Sequence, residues 1–127
     1  AEKNNVTILN EAINRYETNF INNVEESLEF IKKINSPYLK MHLDTFHMNI
    51  EEPDMAKSIL KAREFLGHFH FADSDRWYPG HGHIDFRNII EALKDIKYDG
   101  FIAFECLPSP TPDEAAKNSI KSIKPLL

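Results

Sequence analysis

Four short apolar runs in this chain each stop on an ionisable side chain, and the intervals between the stops repeat. Val6-Thr7-Ile8-Leu9 leads to Glu11, Leu39 to Leu43 ends on Asp44, Phe65-Leu66-Gly67-His68-Phe69 ends on His70, and Phe101-Ile102-Ala103-Phe104 ends on Glu105. The gaps are 33, 26 and 35 residues, each close to the ~30 residues of one strand–helix unit. A carboxylate at the exit of a buried strand is costly unless it meets a cation, a metal or a set of hydrogen-bond donors. Glu11, Asp44, His70 and Glu105 at the carboxyl ends of successive strands therefore read as one convergent oxygen and nitrogen site. Singly, each has a plainer explanation: an Asp after a strand commonly caps a helix or forms a turn.

The segments between the runs support helices. Asn23 with Glu26 gives a capping-box pattern ahead of a helix over Val24–Ile34, which Ser36-Pro37 stops. Asp54 caps a helix over Met55–Arg63, and Asp85 one over Phe86–Ile96 with Ile89, Ile90, Leu93 and Ile96 at helical spacing. Thr111-Pro112-Asp113-Glu114 opens a last helix with cap, first-turn proline and acidic third residue in agreement. Ala1 to Asn5 reads as the end of a helix. The segments 14–19 and the stretch holding His47 up to Pro53 read as loops. Asp73 to Ile84, rich in Gly, Pro and polar groups, is a candidate active-site loop. The order β-α-β-α-β-α-β-α, with near-continuous apolar strands, predicts an α/β fold with a parallel sheet in a single domain over residues 1–127. His68 and His70 are expected on opposite faces of the third strand, so that only His70 faces the site.

Composition narrows the partners. A net charge of −5 and a pI near 5.6 argue against nucleic acid and anionic membrane surfaces. No run approaches ~18 apolar residues and no signal-peptide pattern is visible. The single cysteine, Cys106, rules out an intrachain disulfide, which fits a cytoplasmic, reducing setting; Cys106 itself reads as an inert strand-end residue. No Gly-rich fingerprint follows the first strand, so nucleotide binding has no support.

The motifs Asn14-Arg15-Tyr16-Glu17, Leu43-Asp44-Thr45-Phe46-His47-Met48-Asn49-Ile50-Glu51-Glu52, Leu66-Gly67-His68-Phe69-His70, Asp73-Ser74-Asp75-Arg76 through Pro79-Gly80, and Asp99-Gly100-Phe101 leading to Glu105 resemble the carboxyl-terminal half of the xylose-isomerase-like TIM barrels. Within these, they are most like the ketose 3-epimerases acting on tagatose, psicose and similar sugars. The resemblance covers nearly the whole chain. It implies a (βα)4 half of an eight-unit barrel. It also implies that Glu11, Asp44, His70 and Glu105 bind one divalent ion (Mn2+, Co2+ or Mg2+) and that Glu17, His47 and Arg76 hold the sugar near its C1 and C2 oxygens. Glu11 and Glu105 are then the catalytic pair, moving a proton through a cis-enediolate.

Such barrels have eight units in roughly 250 residues, and four are present here. The expected state is a homo-oligomer, or a half completed by an amino-terminal half supplied separately, because an open half exposes its inner face and two sheet edges. Three functions fit: a metal-dependent sugar epimerase or aldose–ketose isomerase, a non-catalytic half-barrel that binds metal, and an endonuclease IV-type phosphodiesterase, which needs further histidines and a basic surface. Arg76 also fits a surface ion pair. Trp77 and Tyr78 suit a subunit contact slightly better than a sugar. His81 and His83, between glycines, make a poor preformed second metal site.

Overall fold

The computed structural model describes residues 1–127. Four strands, β1 (Ile8–Glu11), β2 (Leu39–Asp44), β3 (Leu66–Phe71) and β4 (Ile102–Phe104), form one parallel sheet in the order β1-β2-β3-β4. Consecutive neighbours joined by helices are what a (βα)4 half of a TIM barrel requires. The helices are α1 (Val24–Ile34), α2 (Thr45–Glu51), α3 (Met55–Ala62), α4 (Phe86–Asp95) and α5 (Pro112–Ile123). Short 3-10 turns lie at Glu2–Asn4, Arg63–Phe65 and Lys124–Leu126.

Side-chain alternation sorts the sheet into two faces. Met41 and Leu43 of β2, with Phe69 and Phe71 of β3, are fully buried against the helices, where they meet Val24, Ile31, Ile59, Ile89, Ile90 and Leu93. Each such side chain contributes roughly 1.5–3 kcal/mol by leaving water. The other face carries His42, Asp44, His68 and His70. The expectation that His68 and His70 point apart is therefore corrected. Residues two apart on a strand share a face, and their rings stand 4.8 Å apart, each also packed on His42 at 5.1 and 4.1 Å.

The caps form where the residues require them. Asn23 accepts from Glu26 N at 2.9 Å, while the Glu26 carboxylate accepts from Asn22 N at 2.7 Å, one residue earlier than a standard capping box. Asp54, Asp85 and Thr111 accept first-turn N–H groups in α3, α4 and α5. The stretch holding His47 is a helix, α2, and not a loop. Asp44 ends β2 and its Oδ1 accepts from Phe46 N at 2.8 Å, so helix follows strand with no connecting residue. Thr45 locks the junction, its hydroxyl donating to Ala72 O and accepting from Ala72 N. Smaller differences occur at the ends: β1 starts at Ile8 and includes Glu11, β4 closes one residue before Glu105, and α3 and α4 each end one residue earlier than expected. Val6, Ile8 and Leu9 on the β1 edge and Phe101 before β4 are exposed.

Candidate active site

Each strand delivers one ionisable group to the carboxyl end of the sheet. Parallel register places Glu11 beside His42, and Asp44 beside His70. Glu105, just past β4, is tied in by its N–H to Phe71 O. One side-chain oxygen or nitrogen from each of Glu11, Asp44, His70 and Glu105 lies within 4.8 Å of the others. The convergence expected from spacing is present.

The electrostatics suit a cation. Glu11 Oε1, Asp44 Oδ2 and His70 Nδ1 are buried and lack any hydrogen-bond partner within the protein, an arrangement that is expensive unless a ligand satisfies it. Asp44 is completely buried. Burial pushes its carboxyl up to about 7, against the opposing pull of Arg76. Glu11 is raised by burial and then by the charge of Glu105. Burial also raises Glu105, but the adjoining Asp44 carboxyl and the charges of Arg76 and His70 bring it net below the usual carboxylate range. Arg76 Nη2, 2.6 Å from Glu105 Oε2 and 3.5 Å from Asp44 Oδ2, supplies positive charge to the pair. Three carboxylates and one imidazole form a donor set for a hard or borderline divalent ion, so the residues fit the implied metal.

The three residues expected to hold a sugar surround this cluster. His47, on α2 and 4% exposed, has Nε2 3.4 Å from Arg76 Nη1 and 3.9 Å from Glu11 Oε1. Burial, then the Arg76 charge, lowers its pKa. Glu17 lies 3.9 Å from His47 Nδ1. Arg76 packs its guanidinium on the Phe46 ring at 4.6 Å. Arg76 does form ion pairs, with Glu105 and Asp44 of the cluster as its partners.

The remaining motif residues hold this geometry. Glu51 takes a bidentate bond from Arg15 and accepts from Arg15 N at 2.6 Å, fastening the β1–α1 loop to α2. Glu52 accepts from Val24 N at 2.7 Å and from Ser58 Oγ, joining α1 to α3. His81 bonds Asp75 at 2.6 Å and stacks on Trp77, whereas His83 bonds Ser74; the two are drawn to different partners. Cys106 Sγ lies 4.0 Å from Ser119 Oγ.

Three contributors were not singled out by sequence reasoning: Asn14, His42 and Asp73. Asn14 Nδ2 is 2.7 Å from both Glu17 Oε1 and His47 Nδ1. His42 Nδ1 is 3.7 Å from Glu11 Oε2, and burial, then its histidine neighbours, lower its pKa to about 4. Asp73, fully buried, accepts from Ser74 N, Gly80 N and Ile84 N and so shapes the loop bearing Arg76. Arg76 sits there in the left-handed region (φ 66) with its N–H on Asp73 O and its carbonyl on Leu107 N. Asp73→Ala leaves three N–H groups without an acceptor and should cost about 3 kcal/mol or more. Urea unfolding measures this, and an unchanged midpoint would show that Asp73 does not tether the loop.

The chain also matches known proteins along most of its length. A family model described as Xylose isomerase-like TIM barrel matches residues 1–126. The chain belongs to that family. Among curated relatives, an L-ribulose 3-epimerase of Methylomonas sp. is 46% identical over 110 residues, covering 87% of this chain and 38% of the relative. A D-psicose 3-epimerase of Enterocloster bolteae is 44% identical over 105 residues, covering 83% and 35%. The crystal structure of a D-allulose 3-epimerase from Methylomonas sp. superposes with a TM-score of 0.93 at 39% identity, over all of this chain and 51% of the other. The chain thus spans under two-fifths of the curated relatives' length and about half of that crystallised chain.

Proposed function

We propose that this chain is the metal-binding and proton-transferring half of a divalent-metal-dependent ketose 3-epimerase. The observation that carries the proposal is the convergence of Glu11, Asp44, His70 and Glu105 in a chain similar to ketose 3-epimerases along most of its length. Glu11, Asp44, His70 and Glu105 would hold the ion, which when bound lends Lewis acidity to a carbonyl and its neighbouring hydroxyl.

Inverting a carbon beside a ketone needs a group to take a proton on one face and a group to return one on the other. Glu11 and Glu105 come from the first and last of the four strands and supply that pair. Arg76 and His47 donate to sugar oxygens, Glu17 accepts from a hydroxyl, and α2 fixes the depth of His47. A (βα)4 half leaves the opposite wall of the pocket to another four units, so turnover belongs to the completed barrel. The phosphodiesterase reading has no support in charge: the chain carries −5.

The test is complementation. The chain is co-expressed with the amino-terminal half of the Methylomonas L-ribulose 3-epimerase, assembly is verified by native mass, and the product is loaded with Mn2+. Incubated with D-psicose or L-ribulose in deuterated water, the assembly should place deuterium at C3. An assembled, metal-loaded barrel that leaves C3 unlabelled would defeat the proposal. The chain alone should bind the metal and exchange nothing.

A further inference from the structure

Asn14 has no charge, makes no approach to the four convergent groups, and is 1% exposed. Its amide is committed at both ends. Oδ1 accepts from Tyr16 N at 3.0 Å, a backbone donor that offers nothing else, so Nδ2 is the atom turned inward. Nδ2 carries two protons. One goes to Glu17 Oε1 and one to His47 Nδ1, each at 2.7 Å. A carboxylate only accepts and a backbone N–H only donates, so the amide cannot be reversed without breaking both outer contacts.

This has a consequence for the imidazole. A ring nitrogen facing an N–H donor at 2.7 Å must present its lone pair, so the proton of His47 resides on Nε2. Nε2 faces Arg76 Nη1 at 3.4 Å and Glu11 Oε1 at 3.9 Å. Arg76 Nη1 is also only a donor and points at Nε2, but at 3.4 Å against 2.7 Å for Asn14 on Nδ1, so the shorter bond decides which nitrogen keeps the lone pair.

We infer that Asn14 is a positioning residue that fixes the Nε2–H tautomer of His47 and orients the Glu17 carboxylate with the same amide group. One buried amide thereby sets a donor and an acceptor at known places. His47 Nε2–H offers a hydrogen bond to an incoming oxygen, and the free oxygen of Glu17 receives one from a hydroxyl. The ligand matched to this pair is a polyol or sugar with one oxygen accepting and another donating. That ligand assignment rests on the epimerase reading. The tautomer does not.

The test uses the metal-free chain alone and no sugar. Long-range 1H–15N correlation spectra of the uniformly 15N-labelled protein report which ring nitrogen of each neutral histidine carries the proton, and His47 is assigned by the signals missing from H47Q. The expected result is a protonated Nε2 and a bare Nδ1. Asn14→Asp replaces the donor with an acceptor and should move the proton to Nδ1, while the backbone amide spectrum elsewhere stays in place. A wild-type His47 with Nδ1 protonated, or averaging between tautomers, overturns the inference even if N14D fails to fold. So does an N14D protein that retains Nε2–H. Because the readout involves no turnover, absence of epimerase activity in the complemented barrel would leave this result standing.

Discussion

Glu105→Gln in the completed barrel is expected to lower kcat for epimerisation by about 10²- to 10⁴-fold, the usual contribution of one acid–base group. The substitution keeps the shape of the side chain and leaves an oxygen to accept from Arg76 Nη2, now 2.6 Å from Glu105 Oε2. At saturating metal, which offsets the weaker ligation by an amide oxygen, what it removes is the capacity to carry a proton to or from the sugar carbon. KM should therefore change far less than kcat, with deuterium incorporation at C3 falling in parallel. Arg76→Ala should show the opposite division, a raised KM with a smaller loss in kcat, since Arg76 donates without exchanging protons. Wild-type rates of solvent exchange in Glu105→Gln would remove Glu105 from the acid–base pair.

The second large effect is in the stability of the metal-free chain. Asp44 has its carboxyl raised from 3.8 to about 7 by burial. The folded state therefore binds a proton there that the unfolded state releases above pH ~4. The associated stability is complete below the unfolded pKa and is lost as pH rises through about 7, by an amount on the order of 4 kcal/mol. Between about pH 4 and 6.5 the lowered His42 acts in the opposite sense, so the falling Tm should appear between about pH 6.5 and 8 in thermal unfolding. Added Mn2+ or Co2+ competes for the ionised carboxylates, so it should stabilise most at the high end of that range. At a hundredfold excess over Kd the gain is about 2.7 kcal/mol, roughly 10 °C for a chain of this size. Asp44→Asn should abolish most of the metal-dependent shift and remove the fall above pH about 6.5, because the buried group no longer ionises. A melting curve indifferent to millimolar metal at pH 8 would eliminate the ion site.

Much of this molecule is written in local signals. The caps at Asn23, Asp54, Asp85 and Thr111 and the apolar stripes behind them predict four of the five helices, because each depends on neighbours within a turn or two. The strand-end positions of Glu11, Asp44, His70 and Glu105 are legible for a similar reason: an abrupt change from apolar to ionisable needs no knowledge of the third dimension. Helix α2 is harder. Seven residues hold too few turns for a periodicity, and their conformation depends on Thr45 meeting Ala72, twenty-seven positions away. Asp44 carries two roles, cap and site group, which sequence reasoning poses as alternatives. Asp73 is invisible because its partners are backbone N–H groups at Ser74, Gly80 and Ile84, brought together only by the loop it shapes. His68 is a different matter. Period two places it beside His70, and the misassignment lay in the inference and not in the signal.

All four convergent groups lie at the strand ends of this one half, and His47, Glu17 and Arg76 stand on its α2 and on the loops after β1 and β3. A partnering half is left to close the far wall. Under the proposed function labour is divided between halves: this one would hold what reacts, and a completing half would enclose what is admitted. Exchange of the enclosing segment is then a route to new sugar preferences that leaves proton transfer intact, with the open edges of β1 and β4 as the seams along which such halves would be joined.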